Sequence, residues 1–136
     1  MIGVYNDVGF FQPSVWEDGF VKIKKLLTDV QHKTITRTDI NNKAFSLQEF
    51  SCIIFPGGYA YPGYTKYVSQ IGKQRLRKFV EDGGKYVGIC AGAYFAGRNV
   101  IYQDKDVTKT GNYDLNLFSG IVSGPAYKSN PDLRWK

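Results

Sequence analysis

The segment GICAG, residues 88–92, places Cys90 between Gly88 and Gly92, directly after a run that favours a β-strand. A sharp strand-to-helix turn of this kind lifts a reactive side chain above a sheet, and it requires small neighbouring residues because the turn is tight. The pattern therefore predicts a nucleophile elbow in which Cys90 is the candidate catalytic nucleophile. The alternative is a small, unreactive core cysteine, since G-x-C-x-G alone is a weak pattern.

Backbone amides are the groups expected to act on this thiol. A helix beginning at Ala91 would direct its free N–H groups at Cys90 and favour the thiolate. The N–H groups of Ala91 and of Gly57 or Gly58 would also converge on a nearby oxyanion. Gly57 and Gly58 follow the end of another apolar strand, and ligands bind where parallel strands end. We expect these glycines to face Cys90 if the two strands are neighbours.

A cysteine hydrolase or transferase usually needs a general base, and this sequence offers no obvious one. The single histidine, His32, precedes the second predicted strand and is expected at the amino end of the sheet, away from Cys90. Four side chains follow strand ends and are predicted to bind a small polar ligand or to cover the cleft. They are Asp7, Tyr59, Tyr61 and Tyr64.

The second cysteine, Cys52, begins the strand that leads to Gly57. About four residues of strand, roughly 13 Å, separate Cys52 from the carboxyl end of that strand. This separation excludes a disulfide bond with Cys90, and we expect Cys52 to belong to the core. Two cysteines without a disulfide framework indicate a reducing, cytoplasmic setting.

Alternating strand and helix patterns predict how these residues are held. Strands are predicted at residues 1–6, 33–39, 51–55 and 85–89, with further strand within 113–122. Helices are predicted at 15–30, after a capping box at Ser14 and Glu17, at 68–80, before Gly83, and at 91–97. This order predicts an α/β sandwich with a mainly parallel sheet and helices on both faces, in a single domain spanning residues 1–136.

Composition excludes several classes of protein. Hydrophobic residues make up 43% and charged residues 22%, an ordinary globular balance. No apolar run approaches the ~20 residues of a membrane helix. The net charge is +6, but lysines and arginines cluster on predicted helix faces, which favours solvated surfaces over a nucleic-acid site. We expect no nucleic acid, no membrane, no metal and no other cofactor as partners, and the oligomeric state stays open.

Four short motifs, spread over most of the chain, resemble a known superfamily. They are FPGG at 55–58, GICAGAY at 88–94, LFSG at 117–120 and GP at 124–125. Together they resemble the class I glutamine amidotransferase-like superfamily, and within it the amino-terminal domain associated with biotin–protein ligases. The resemblance implies a flavodoxin-like three-layer sandwich, with the nucleophile at Cys90 and an oxyanion contribution from Gly57 and Gly58.

The sequence also departs from that superfamily. True amidotransferases are expected to add a histidine and a glutamate late in the chain, and no histidine follows Cys90 here. Ala-Tyr-Phe follows Gly92 where a glutamine-containing run is usual. The resemblance places ligase chemistry in a separate downstream domain, and the Gly-rich biotinyl-adenylate motif of that domain is not found in this chain. No biotin ligation is therefore expected from this chain alone.

Three functions follow from these residues. The first is a degenerate amidotransferase-like domain that keeps the elbow and serves as a non-catalytic regulatory module, binding a small polar ligand or a partner domain. The alternative is a cysteine-dependent hydrolase or amidotransferase whose base comes from Asp7, a tyrosine, a partner subunit or residues outside this sequence. A redox-sensing thiol is the second alternative, since exposed, ionised cysteines oxidise readily. The loop-like end, SNPDLRWK, leaves open whether the domain is truncated.

Overall fold

A four-stranded, fully parallel sheet organises the first part of the chain. The computed structural model describes residues 1–7, 13–58, 63–104 and 107–125. The sheet has the order β2-β1-β3-β4. Its strands are β1 (Ile2–Tyr5), β2 (His32–Ile35), β3 (Cys52–Phe55) and β4 (Lys85–Gly88). Ile2 pairs with both His32 and Cys52, and Phe55 pairs with Gly88, so all four strands end at the same edge.

Helices cover the two faces of this sheet unequally. They are α1 (Pro13–Leu26), α2 (Arg37–Asn41), α3 (Thr65–Tyr67), α4 (Gln70–Glu81) and α5 (Ala91–Ala96), with a 3-10 turn at Leu47–Glu49. On one face, Phe20 and Ile23 of α1 pack on Val4. The larger core lies on the other face, where Phe79 of α4 and Phe95 of α5 belong to one cluster. The predicted α/β sandwich with helices on both faces is confirmed.

A second, three-stranded sheet follows α5. It consists of β5 (Gly97–Asp104), β6 (Val107–Asn112) and β7 (Phe118–Gly124). The middle strand β5 is antiparallel to β6 and parallel to β7. The sequence predicted strand only within 113–122, so β5 and β6 were missed and β7 begins later than expected. These strands carry many polar residues and few buried side chains, which weakens the pattern that identifies a strand.

The predicted second strand was too long. It was expected over residues 33–39, but β2 ends at Ile35 and α2 begins at Arg37. Thr36 caps α2, because its backbone N–H donates to the Asp39 carboxylate at 2.8 Å and its Oγ1 accepts from the Asp39 N–H at 3.4 Å. This capping box overrides the β-branched character of the segment. The first predicted helix was also too long, since α1 ends at Leu26 rather than near Val30.

The α4 helix matches its prediction and ties the larger core together. Its start is capped by Ser69, whose Oγ accepts from the Gly72 N–H at 3.1 Å. It is followed by Gly83, whose φ of 97° suits the predicted glycine stop. Arg75 on α4 donates to the carbonyl oxygens of Asp39 and Ile40 in the last turn of α2, and to that of Phe45 beyond the helix.

The outer strand β4 is incompletely covered on the α1 side of the sheet. Val87 is 41% exposed, and Ile89 just beyond the strand is 45% exposed. Their counterpart on the central strand, Val4, is fully buried beneath α1. Helix α1 therefore shields the centre of this face but not its β4 side. Across the described parts of the chain, no helix combines the length and apolar character needed to cross a membrane.

Candidate functional site

The carboxyl edge of the parallel sheet brings together residues from distant parts of the sequence. Gly57 and Cys90 each follow the paired residues Phe55 and Gly88 by two positions. A Cβ atom added to Gly57 would lie 3.5 Å from the Cβ atom of Cys90. The Gly57 backbone therefore forms a wall directly beside the thiol-bearing residue, as the neighbouring strands led us to expect.

Cys90 occupies a sharp turn between strand and helix. Its φ of 51° and ψ of −109° lie outside the regions that residues with a side chain ordinarily adopt. Just before it, the Ile89 N–H still donates to the Phe55 carbonyl at 2.9 Å. Just after it, the Ala93 and Tyr94 N–H groups donate to the Cys90 carbonyl and begin α5. The backbone hydrogen bonds thus change from the sheet pattern to the helix pattern within one residue. The Cys90 side chain is exposed.

The two flanking glycines are required by close backbone approach. A Cβ atom on Gly92 would lie 2.1 Å from the carbonyl oxygen of Phe55, which is a backbone atom and cannot rotate away. A Cβ atom on Gly88 would lie 2.5 Å from the carbonyl group of Gly92. Only a hydrogen atom fits at either position. The spacing G-x-C-x-G is therefore a consequence of how closely α5 packs on β3 and β4.

Three backbone amides lie in the segments beside Cys90. Ala91 is the first residue of α5 and is buried, while Gly57 and Gly58 follow Pro56 at the end of β3. Within the described ranges, the N–H groups of these three residues form no backbone hydrogen bond. N–H groups without a backbone acceptor are the kind that can stabilise a developing negative charge.

A charged pair lies at the β1–β2 part of the same edge. Asp7 follows β1, and its carboxylate accepts from the Tyr5 hydroxyl at 2.8 Å. The Arg37 Nε lies 3.6 Å from the other carboxylate oxygen. The Arg37 guanidinium also lies over the Tyr67 ring, 4.8 Å from its centroid. Arg37 was missed from the sequence because it was placed inside a strand. The N-cap pattern of Thr36 and Asp39 was the signal that could have placed it at the edge.

Tyr64 lies beneath the site rather than on its surface. The side chain is fully buried, and its hydroxyl donates to the Pro56 carbonyl at 2.8 Å. Burial raises the pKa of Tyr64 well above its ordinary value, and the nearby charges of Cys90 and Asp7 raise it further. Tyr64 is therefore a neutral donor close to both groups. The two other predicted tyrosines, Tyr59 and Tyr61, lie outside the described residues.

Two further tyrosines near the elbow were missed. The Tyr86 hydroxyl donates to the Gly92 carbonyl at 2.7 Å, and burial raises the pKa of Tyr86 well above its ordinary value. Tyr94 lies one helical turn after Cys90. Its pKa is raised by partial burial first and by the proximity of Cys90 second. The spacing of four residues from Cys90 was the available signal for Tyr94, whereas the partner of Tyr86 depends on tertiary packing.

The amino end of the sheet holds the single histidine and the second cysteine. His32 is the first residue of β2, and its Nδ1 lies 2.8 Å from the Val30 carbonyl oxygen. Its predicted position away from Cys90 is confirmed. Cys52 begins β3 and is half-buried, so the prediction that it belongs to the core was wrong. Both cysteines are free, and desolvation raises the pKa of the Cys52 thiol.

Comparison with known proteins identifies the family. The family described as "Biotin-protein ligase, N terminal" matches residues 1–130. The chain belongs to this family. The predicted association with biotin–protein ligases is thereby confirmed at the level of the family.

Two curated relatives resemble this member of the biotin–protein ligase N-terminal family over part of its length. An uncharacterized protein of Chlamydia muridarum (strain MoPn / Nigg) is 36% identical over 78 residues, which is 57% of this chain and 30% of that protein. A biotin–protein ligase of Schizosaccharomyces pombe (strain 972 / ATCC 24843) is 32% identical over 77 residues, which is 55% of this chain and 12% of that protein. The matched segment thus spans a minor part of each relative.

Proposed function

We propose that this member of the biotin–protein ligase N-terminal family is an amidotransferase-like domain of the class I superfamily that binds a small polar ligand at Cys90 without turning glutamine over. One observation carries the proposal. Cys90 is exposed on a turn with φ of 51°, directly beside Gly57, while the single histidine lies at the opposite end of the sheet. The arrangement favours binding of a carbonyl or carboxylate group over catalytic proton transfer.

The chemistry of the edge supports a ligand with an electron-rich oxygen. The N–H groups of Gly57, Gly58 and Ala91 are suited to donate hydrogen bonds to a carbonyl oxygen or an oxyanion beside the Cys90 thiol. Turnover of an amide also requires a group that protonates the leaving amine, a role that histidine commonly fills. His32 lies at the far end of β2 and cannot reach that position without rearrangement of the sheet. Binding is therefore proposed as the principal function.

The family supports a regulatory role next to a ligase. The Schizosaccharomyces pombe relative is a biotin–protein ligase, and the matched segment covers 12% of it. We infer that ligase chemistry resides in other parts of such proteins. Binding of the ligand at Cys90 would then regulate an attached or associated partner domain, and the ligand would not be consumed.

A cysteine enzyme with an unusual base is the second candidate. Asp7 follows β1 and Cys90 follows β4 at the same carboxyl edge of the sheet. Burial raises the pKa of Tyr64, and Cys90 and Asp7 raise it further. A proton could pass from a thiol to Asp7 or to a group that a partner supplies. A redox-sensing thiol is the third candidate, supported by the exposure of Cys90.

Thiol labelling combined with a glutaminase assay tests the proposal. Intact-mass spectrometry would follow iodoacetamide labelling between pH 6 and 9 in the unmodified protein, Cys52→Ser and Cys90→Ser. We expect one fast adduct that survives Cys52→Ser and is lost in Cys90→Ser, with ammonia release from glutamine no faster than in buffer. The half-buried Cys52 supplies the matched control thiol.

The outcomes separate the candidates. Ammonia release that disappears in Cys90→Ser would overturn the binding proposal in favour of the enzyme. Stoichiometric conversion of Cys90 to a sulfenic acid by low peroxide, at a rate well above that of Cys52, would favour the redox thiol. Labelling of Cys90 no faster than of Cys52 would contradict a preorganised site at this edge.

A further inference from the structure

Beneath the carboxyl edge of the parallel sheet, aromatic rings form one connected cluster around Phe55. The Phe55 ring stacks on Tyr5 with centroids 4.6 Å apart and on Tyr86 with centroids 5.2 Å apart. Tyr64 meets the same ring edge-on at 5.2 Å, and Phe95 of α5 lies 5.4 Å away. Such aromatic contacts have preferred geometries, so each ring restricts the position of its neighbours.

The hydroxyls of the three tyrosines in this cluster donate hydrogen bonds to three different segments at the edge of the sheet. Tyr5 donates to the Asp7 carboxylate after β1 at 2.8 Å. Tyr64 donates to the Pro56 carbonyl after β3 at 2.8 Å. Tyr86 donates to the Gly92 carbonyl in the first turn of α5 at 2.7 Å. One rigid ring cluster therefore holds each segment through one hydrogen bond.

We propose that Tyr64 and Tyr86 are positioning residues that set the two backbone walls on either side of Cys90. This proposal rests on the proposed function, in which the two walls hold a ligand oxygen beside the Cys90 thiol. Tyr64 holds the carbonyl of Pro56, the residue directly before Gly57. Tyr86 holds the first turn of α5, which carries the Ala91 N–H. Tyr5 belongs to the same cluster but holds neither wall.

The chemistry of these hydroxyls suits a fixed positioning role. Burial raises the pKa of each of the three tyrosines, so all three remain neutral donors over the pH range in which a thiol titrates. Their acceptors are a carboxylate and two backbone carbonyls. Tyr→Phe substitution keeps the ring and its contacts and removes only the hydrogen bond, so loss of positioning can be separated from loss of packing.

The test compares Tyr64→Phe and Tyr86→Phe with Tyr5→Phe as the matched control. Iodoacetamide is the probe, and the readouts are the rate constant of Cys90 alkylation at pH 7 and the pH midpoint of its profile, in a Cys52→Ser background. A neutral hydrogen bond corresponds to about a threefold to tenfold change in rate. We expect a decrease of that size, with the midpoint moved to higher pH, in Tyr64→Phe and Tyr86→Phe, and no change in Tyr5→Phe.

Two outcomes would overturn the inference. An equal decrease in the alkylation rate of Cys90 in all three variants would assign the effect to general packing. Unchanged rates in Tyr64→Phe and Tyr86→Phe would show that neither hydroxyl is needed to position the walls. If Tyr64→Phe does not fold, the comparison of Tyr86→Phe with Tyr5→Phe stands by itself, since Tyr86 holds a separate wall.

Amide hydrogen exchange separates failure of this inference from failure of the proposed function. Peptides covering residues 55–58 and 89–93 report the mobility of the walls without relying on thiol reactivity. Faster exchange in the first peptide for Tyr64→Phe and in the second for Tyr86→Phe is the expected result. If it occurs while Cys90 of the unmodified protein is unreactive, the positioning role stands and the proposed ligand site fails. If exchange is unchanged, the positioning role fails whatever the reactivity of Cys90.

Discussion

The two sheets of this domain bury their side chains very differently. In the parallel sheet, Ile35, Ile53 and Phe55 are completely buried. In the second sheet, Val100 of β5 is buried, but Phe118 and Ile121 of β7 are 56% and 59% exposed. The residues proposed for ligand binding all belong to the edge of the buried sheet. A site that must be held within a fraction of an ångström is thus built on the part of the protein whose geometry is fixed by packing.

The largest effect that would test this contrast is loss of a central ring. Phe55→Ala removes the side chain around which Tyr5, Tyr64 and Tyr86 pack, and we expect the free energy of unfolding to fall by about 3–5 kcal/mol. Phe118→Ala, the matched change on β7, should alter it by no more than about 0.5 kcal/mol. Urea unfolding followed by circular dichroism measures both. Similar losses in the two variants would mean that the sheets are equally important for stability.

Glycine substitution sharpens the contrast at the level of the backbone. Gly92→Ala would place a Cβ atom 2.1 Å from the Phe55 carbonyl oxygen, and we expect a loss of about 3 kcal/mol in unfolding free energy. Gly111→Ala on β6 is the control, because its Cβ atom would meet the nearest Tyr113 ring atom at an ordinary 3.5 Å. The control should change the unfolding free energy by no more than about 0.5 kcal/mol. A stable Gly92→Ala protein would contradict the close packing of α5 on β3.

Alkaline pH should weaken the buried edge through its phenols. In the unfolded chain these tyrosines ionise near pH ~10, whereas burial raises the pKa of Tyr5, Tyr64 and Tyr86 in the folded protein. Above that pH the folded state binds more protons, so the free energy of unfolding falls as pH rises, by up to about 1.4 kcal/mol per pH unit for each phenol. Below pH ~10, the contribution of the buried, neutral phenols to the free energy of unfolding is fully present.

Removing one phenol tests this pH dependence. Tyr86→Phe should show a shallower decline than the unmodified protein in urea unfolding between pH 9 and 11.5. Titration of the lysines and cysteines is common to both proteins and does not affect the comparison. Parallel declines in the two proteins would show that Tyr86 is not desolvated at this edge.

The smallest expected effect compares two residues with positive φ. Cys90→Gly removes an unfavourable backbone conformation that costs ~1–3 kcal/mol, against ~0.5–1 kcal/mol of added unfolded-state entropy, so we expect a gain of about 1 kcal/mol. Asn116, just before β7, has a similar φ of 52°, but asparagine tolerates this region. Asn116→Gly should therefore lower the unfolding free energy by about 0.5 kcal/mol, because glycine adds conformational entropy to the unfolded chain. In urea unfolding, we expect the change in unfolding free energy to have opposite signs in the two variants. Changes of the same sign would show that the backbone at Cys90 is no less favourable than that at Asn116.

The sequence predicted β1, β3 and β4 well because these strands are short, largely apolar runs that end at asparagine, proline or glycine, whereas β2 is less apolar and was predicted too long. It also predicted the meeting of Gly57 with Cys90, since adjacent parallel strands must end at one edge. It did not predict β5 and β6, because strands exposed to solvent lack a regular apolar pattern. Side-chain capping by Thr36 was likewise hidden within an apparently β-branched run.

The hydrogen-bond partners of the site could not be predicted for a different reason. Tyr64 and Tyr86 donate to backbone carbonyls whose positions depend on how α5 and the loop after β3 pack on the sheet. Nothing in the local sequence of a tyrosine specifies such a partner. The contact of Arg37 with Asp7 likewise joins residues 30 positions apart, so no local pattern specifies that pairing. Local patterns identified the nucleophile candidate, and only tertiary structure identified its supports.

The position of β1 between β2 and β3 also has a consequence for how the chain folds. Its pairing with β3 joins Ile2 to Cys52, so β1 is synthesised about fifty residues before the strand with which it pairs. Parallel pairing across such separations closes long loops before it gains contacts, which slows folding. During synthesis, the apolar β1 segment stays unpaired on one side until β3 has left the ribosome. Cleavage of the chain before β3 would leave β1 with an unpaired edge and a tendency to aggregate.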